Sequence, residues 1–405
     1  MPCPLRLWRD PRHFKLQVSN MIYCSPTQYF RINFPTLLAP KEQLTLTITF
    51  HTLSQLSPLP PLIAQDDKQY LSLTINAYAN SAYPTTKQRT KLKLNSHDIP
   101  DHTVLPPTDV KSDNAEDPVR SGNSLTYGPF SDVPAGAYQP VSARFDFTKP
   151  VNRVETLERD FELSHWGGNL ATEERYLLSN AGAQLKEQFN RVQWTAISYY
   201  ERPTSALKEL KIPLSPGARD PYFVDDVGNV STSRFRPGDV AKDKKGMLEL
   251  KPRYPVFGGW QYKFKIGWDR DARDHLRTTK SGEYVLRVPF LEGPRQSEGI
   301  YYERVKVRVV LPEGAENVRW ETAVPVEEWQ ESTHRTFMDT IGRTSLELTA
   351  RNLCDEWTER DLVVMYEYPA FAGWRKPIAT VASVVGVFAV VFAVSKVDVS
   401  IGGKR

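Results

Sequence analysis

Cysteine is scarce in this chain of 405 residues: Cys3, Cys24 and Cys354 are the three present, and no CxxC spacing occurs. An odd count without close pairs builds neither a zinc site nor a disulfide framework. Cys24 and Cys354 have a disulfide open to them in an oxidising lumen, and burial as small apolar residues otherwise. An excess of charge of one sign is also lacking. With 52 Lys and Arg against 48 Asp and Glu, the formal net charge is +4, which argues against a chain built to bind nucleic acid. The phosphate-cradling patterns GxGxxG and GxxxxGK[ST] are missing, and the seven His form no HExxH or HxH pair. Helical periodicity is rare, whereas 31 Pro and 22 Gly suit turns and extended segments. A hydrophobic share of 40% with 25% charged residues excludes wholesale disorder.

One apolar run stands out. Ile378–Ser395 carries no charge, and 14 of its 18 residues are Ala, Val, Ile or Phe. As a helix it spans about 27 Å, close to the thickness of the endoplasmic reticulum bilayer, and it is too long for an ordinary strand. Trp374, Arg375, Lys376 and Lys396 are membrane-interface candidates at its ends, and Pro377 suits a first helical turn. Ala379, Ala382, Ser383 and Gly386, spaced by three and four, give a candidate helix-packing face. The first 20 residues contain no apolar core of a signal peptide. The chain therefore reads either as tail-anchored in the cytosol or as lacking its true start.

Elsewhere the pattern is β. Period-two alternation predicts strands at Tyr29–Phe34, Gln43–Thr52, Lys68–Ala77, Gln88–Leu94, Ala143–Phe147, Val154–His165, Glu173–Leu178, Met247–Leu250, Gln261–Trp268, Glu283–Phe290, Arg304–Leu311, Ser345–Leu348 and Asp361–Tyr368. Asn95–Arg120 reads as a polar surface loop. The pair Gln43–Thr52 and Lys68–Ala77 is similar to the later pair from Gln261 and Gly282, a weak internal repeat. The expected fold is mainly β, with two tandem antiparallel β-sandwich-like domains and one C-terminal transmembrane helix. The expected organisation is an unassigned start at 1–20, an incomplete first domain at 21–142, a second at 143–370, the span at 378–395 and a short tail at 396–405.

Two constellations invite a catalytic reading. Asp269-Arg270-Asp271 has the DxD spacing with which glycosyltransferases hold a divalent metal, but no nucleotide-binding βαβ unit surrounds it, and a charged, solvated loop is the simpler expectation. Ser164-His165 pairs a nucleophile with a base, yet neighbours on a strand point to opposite faces. A strand end turning at Gly167-Gly168 is expected, with Trp166 as a core or interface anchor. No catalytic, metal or cofactor site is assigned. Asn229-Val230-Ser231 is a sequon in a polar turn, a glycan acceptor if that segment is lumenal.

Several stretches, in order, carry a resemblance. They are NSAYPTTKQRTKLKL (Asn80–Leu94), TYGPFSDVP (Thr126–Pro134), ELSHWGGNLATEE (Glu162–Glu174), GAQLK (Gly182–Lys186), DDVGNVSTS (Asp225–Ser233), LKPRYPVFGGW (Leu250–Trp260), VVLPEGAENV (Val309–Val318) and DTIGR (Asp339–Arg343). Together they closely resemble the ribophorin I family, subunit 1 of the eukaryotic oligosaccharyltransferase complex. The resemblance implies a type I single-pass protein of the endoplasmic reticulum membrane, mostly lumenal with a short cytosolic tail. It implies a non-catalytic subunit of a complex that moves a preassembled oligosaccharide from dolichyl diphosphate to Asn of N-x-[ST] in nascent proteins. Its implied partners are the other subunits, including the multispanning catalytic one, nascent polypeptides and the lipid bilayer, with no nucleic acid. Asn229 matches the family's lumenal sequon. Family members begin with a signal peptide and a longer first domain, and this start matches neither. A membrane-anchored β-sandwich adhesion or receptor module is the alternative reading.

Overall fold

The computed structural model describes residues 6–7, 16–18, 30–32, 38–105, 118–296, 299–336 and 339–396. The chain forms two units, Met1–Gln55 and Leu56–Arg405.

In the first unit Arg6–Leu7 pairs with Ile48–Thr49, and Leu16–Val18 with Phe30–Ile32. The long half-buried strand expected at Gln43–Thr52 is reduced to Ile48–Thr49. Its apolar row is open to solvent, with Leu44, Leu46, Ile48 and Phe50 all 38–57% exposed. Alternation yields a half-buried strand only where a second layer receives the apolar face, and among the described residues none does. The proposed repeat therefore fails at this strand, because its counterpart Gln261–Asp271 is fully formed. Cys24 lies outside the described residues, and with it the Cys24–Cys354 pairing.

The second unit opens with a small sandwich. Val119–Ser121, Ser124–Val133 and Thr85–Lys93 make one sheet; Leu56–Pro58, Tyr70–Asn76, Pro140–Asp146 and Asp101–His102 make the other. Between them lie Leu71, Leu125, Tyr127, Phe130, Val141 and Phe145. Most of the polar stretch after Leu94 is irregular, but Asp101–His102 and Val119–Ser121 in it are edge strands.

The larger part is built on an eight-stranded sheet. Its order is Gly228–Asn229, Arg219–Asp225, Gln261–Asp271, Asn169–Asn180, Asn152–Ser164, Tyr301–Val310, Arg343–Cys354 and Glu328–His334. A four-stranded sheet (Leu276–Thr278, Tyr284–Pro289, Asp361–Glu367 and Glu316–Thr322) and a three-stranded one (Leu210–Leu214, Gly246–Leu250 and Ser233–Arg236) share its core. Pairing is antiparallel except at the centre, where Asn152–Ser164 runs parallel to Tyr301–Val310. A parallel pair needs a long crossover, and more than a hundred residues separate these two strands.

Register puts certain segments at one end of this sheet. Ser164 faces Asn169, Asn169 faces Asp271, Glu162 faces Val310, Val310 faces Ser345, and His334 faces Arg343. The helix Arg375–Ser395 follows the last strand of the neighbouring sheet after a short 3-10 turn at Ala372–Trp374.

Candidate membrane anchor and docking site

Among the described residues one helix is long and apolar enough to cross a membrane. The Arg375–Ser395 helix has 21 residues and is about 31 Å long. Its apolar side chains, Val381 to Val394, are all exposed, so none of the described residues covers them. The two hydroxyls of its first half are satisfied within the helix: Thr380 donates to the Lys376 carbonyl at 2.9 Å and Ser383 to that of Ala379 at 2.8 Å. Ala379, Ala382, Ser383 and Gly386 follow one another up one side, and a Cβ at Gly386 would meet nothing within 4 Å. Trp374 is 65% exposed just before the helix, and at the far end Lys396 Nζ lies 5.4 Å from the Phe392 ring centre.

The near end is clasped to the β fold. Asp339, whose side chain is fully buried, accepts from Lys376 Nζ at 3.0 Å and Arg343 Nε at 3.2 Å, and from Thr336 N and Oγ1 at 2.9 and 2.8 Å. Burial pushes its carboxyl up, but the hydrogen bonds from Lys376, Thr336 and Arg343 outweigh this and hold it well below the usual carboxylate range. Glu313, also buried, accepts from Thr340 N, Thr340 Oγ1 and Ile341 N at 2.6–2.7 Å. Two glycines permit the approach. Gly342 has φ +93° and a Cβ there would lie 2.6 Å from Thr333 Cγ2; Gly314 has φ +92° and a Cβ there would lie 2.8 Å from Ala372 Cβ. Lys376, expected only at the membrane surface, is thus an ion-pair partner of the fold. The stretch DTIGR supplies the carboxylate that holds it, and Glu313 of VVLPEGAENV fixes the loop that carries that carboxylate, roles invisible in the sequence because Asp339 and Lys376 are far apart along the chain.

The two constellations of catalytic appearance dissolve. Ser164 Oγ accepts from Gly167 N at 3.0 Å within the turn, while His165 Nε2 lies 2.6 Å from Tyr366 Oη and its ring 4.5 Å from that of Tyr368. Serine and histidine are each committed elsewhere. Trp166 is not a core residue, being 79% exposed at the hairpin tip. The DxD segment is not a solvated loop. It ends a strand, Asp269 accepts from Asn169 Nδ2 at 2.9 Å, and Asp271 caps the short helix after it.

Arg270 between them is fully buried in an ionic quartet that sequence reading missed. Arg159 Nε meets Glu174 Oε1 at 2.8 Å and its Nη2 meets Glu292 Oε2 at 2.6 Å. Arg270 Nη1 lies 3.7 Å from Glu292 Oε1. Arg159 also donates to the Pro289 carbonyl, Arg270 to Thr172 Oγ1, Tyr176 to Glu174 and Ser215 to Glu292. Burial raises both carboxyls. Glu292, facing two guanidiniums, nevertheless ends below the ordinary range, whereas Glu174, leaning on one, ends above it. The sequon residue Asn229 is exposed on an edge strand opposite Val224.

A family model described as Ribophorin I matches residues 11–395. The chain belongs to the Ribophorin I family. Members similar to it are named dolichyl-diphosphooligosaccharide–protein glycosyltransferase subunit 1. That of Schizosaccharomyces pombe is 30% identical over 359 residues, covering 88% of this chain and 75% of the relative. That of Caenorhabditis elegans is 28% identical over 387 residues, 96% of this chain and 63% of the relative. Subunit 1B of Oryza sativa is 29% identical, covering 92% and 74%. Among solved structures an M1 zinc metallopeptidase of Deinococcus radiodurans aligns with 53% of the chain at 11% identity and a TM-score of 0.29, a likeness too slight to carry any argument. All eight stretches that resemble Ribophorin I, from NSAYPTTKQRTKLKL to DTIGR, fall in the described residues, as strands, turns and the clasp.

Proposed function

We propose that this chain is a non-catalytic structural subunit of the oligosaccharyltransferase complex, which transfers a preassembled oligosaccharide from dolichyl diphosphate to Asn in N-x-[ST] of nascent proteins. The β units lie in the lumen of the endoplasmic reticulum, Arg375–Ser395 is the single type I span, and Lys396 with the residues after it is cytosolic. The observation that carries this reading is a bare apolar helix clasped to a β fold, in a member of a family whose relatives are named as subunit 1. A helix with no partner among the described residues calls for membrane neighbours, and Ala379, Ala382, Ser383 and Gly386 form the face that packs on them. Its fixed link to the β fold lets lumenal surfaces dock partner subunits and guide nascent chains.

The test is detergent extraction of the tagged full chain followed by mass spectrometry. The other subunits, the multispanning catalytic one included, are expected to co-purify, and the chain alone is expected to transfer no oligosaccharide. Recovery of the chain by itself, or its passage to the cell surface, would favour an adhesion or receptor module. A second expected result concerns topology. The chain carries an endoglycosidase-sensitive glycan at Asn229 that Asn229→Gln removes; a wild-type chain whose mass endoglycosidase leaves unchanged contradicts the lumenal placement.

A further inference from the structure

The end of the eight-stranded sheet that carries the clasp bears four exposed apolar side chains on three separate segments. Trp166 tips the Ser164–Asn169 hairpin at 79% exposure, Ile341 sits in the Asp339–Arg343 loop at 48%, and Phe371 and Trp374 lead into the helix at 65% each. The register described above puts the hairpin and the loop at one end of the sheet. The hairpin is tied to the helix approach through His165, whose ring contacts Tyr368 at 4.5 Å, three residues ahead of Phe371. The loop is tied to the helix through Asp339 and Lys376 at 3.0 Å.

We propose that this end of the β fold is seated in the headgroup layer of the bilayer, with Trp166 and Ile341 as interfacial anchors beside the span. The proposal rests on reading Arg375–Ser395 as that span. Lys376 stands two residues, about 3 Å of helix rise, before Ile378. Asp339 therefore lies within one lysine side chain of a point about 3 Å above the hydrocarbon edge. The headgroup layer is itself roughly 5–7 Å deep on each side, so the clasp brings the loop holding Ile341 to the level of that layer or its edge. Tryptophan is enriched in this layer, and exposed apolar side chains beside it bury surface at the headgroup–acyl boundary. Four of the charges carried to that depth are paired, Asp339 with Lys376 and Arg343, and Arg343 also with Glu162, which lowers the cost of leaving bulk water. Continuity with the span favours lipid over a protein partner as the occupant.

The experiment uses the full chain with Cys3, Cys24 and Cys354 replaced by Ser. Single substitutions Trp166→Cys, Ile341→Cys, Val227→Cys and Val387→Cys are labelled with an environment-sensitive fluorophore. Each protein is reconstituted into vesicles of phosphatidylcholine and phosphatidylethanolamine containing a spin-labelled lipid. Val227, 79% exposed, follows Asp225, which faces Phe264, while Asp271 marks the clasp end; the separation is about 20 Å of strand. Labels at 166 and 341 are expected to shift to the blue and to be quenched by headgroup-labelled lipid severalfold more than the label at 227. The label at 387 is expected to respond to acyl-chain-labelled lipid. If 166 and 341 behave like 227 while 387 reports hydrocarbon, the seating is wrong and the span stands. If 387 also reports water, the span reading itself falls. Labels at 166 and 341 that become shielded only when the other subunits are added would assign this end to a protein partner and overturn the proposal. A check that keeps every cysteine is the loss of part of the tryptophan quenching by brominated phosphatidylcholine in Trp166→Ala; no loss counts against the seating.

Discussion

Glu292→Ala is expected to destabilise the β fold by about 3–5 kcal/mol, because it strips a buried ionic group of its partner. Glu292 faces Arg159 at 2.6 Å and Arg270 at 3.7 Å, and both arginine side chains are fully buried. Removing the carboxylate leaves two guanidiniums against the single Glu174, which already leans on Arg159. Water cannot reach them, so the desolvation cost is no longer offset. Thermal unfolding of the detergent-solubilised chain, followed by tryptophan fluorescence, should show a midpoint lower by roughly 5–10 °C. Glu292→Gln keeps an acceptor for Ser215 and Arg159 but not the charge, and should fall between wild type and Ala. Replacing all four charged residues by apolar ones of matched volume should cost much less than the single change, since desolvation disappears together with attraction. A Glu292→Ala loss below about 1 kcal/mol would mean that the quartet is not sealed from solvent.

Asp339→Ala is expected to free the helix from the fold. Its carboxylate accepts four hydrogen bonds, two from cationic groups, and charge-assisted bonds contribute about 1.5–3 kcal/mol apiece without being additive. A loss of about 2–4 kcal/mol in the local opening of the clasp follows. Arg375 and Lys376 are half-buried in the clasp, so trypsin cuts after Arg375 only when it opens, and the cut should become roughly 30- to 800-fold faster in the variant. An unchanged cleavage rate would show that the helix is held by Gly314 and Ala372 alone. The clasp should also respond to acid. The Asp339 carboxyl is depressed in the fold, so its contribution is fully present above the ordinary carboxylate pKa of about 3.9. It is lost as pH falls from there towards the native value. Cleavage at Arg375 by an acid-tolerant protease should accelerate over that range in wild type and remain flat in Asp339→Asn.

Where an apolar phase meets a covering layer, strands are legible. Gln261–Trp268 and Arg304–Leu311 appear nearly as read, at Gln261–Asp271 and Tyr301–Val310. Ser124–Val133 was hidden by Gly128-Pro129, which locally spell a turn. Glu328–His334 has no buried side to betray it, because an edge strand is held by backbone pairing with Arg343–Cys354. The nine-residue helix Arg191–Tyr199, started by the Asn190 side chain, is too short to establish a period. Gln43–Thr52 erred the other way, with perfect alternation and no layer above it. The quartet did leave a trace. Arg159 stands in phase with Leu157, Phe161 and Leu163; Glu174 with Leu170, Tyr176 and Leu178; Arg270 with Tyr262, Phe264, Ile266 and Trp268. A charge in a core-facing phase is a buried charge awaiting a partner, but alternation along one strand says nothing about which strand brings it.

Period and length along the chain determined the β class, the C-terminal helix and its capacity to cross a bilayer, because each depends on near neighbours alone. Which carboxylate holds Lys376, which guanidiniums face Glu292, and which loops stand beside the helix as it leaves the fold were decided only by the tertiary structure. Those pairings join residues up to about 130 positions apart, and they exist only once sheet register brings the ends of separate strands to one place.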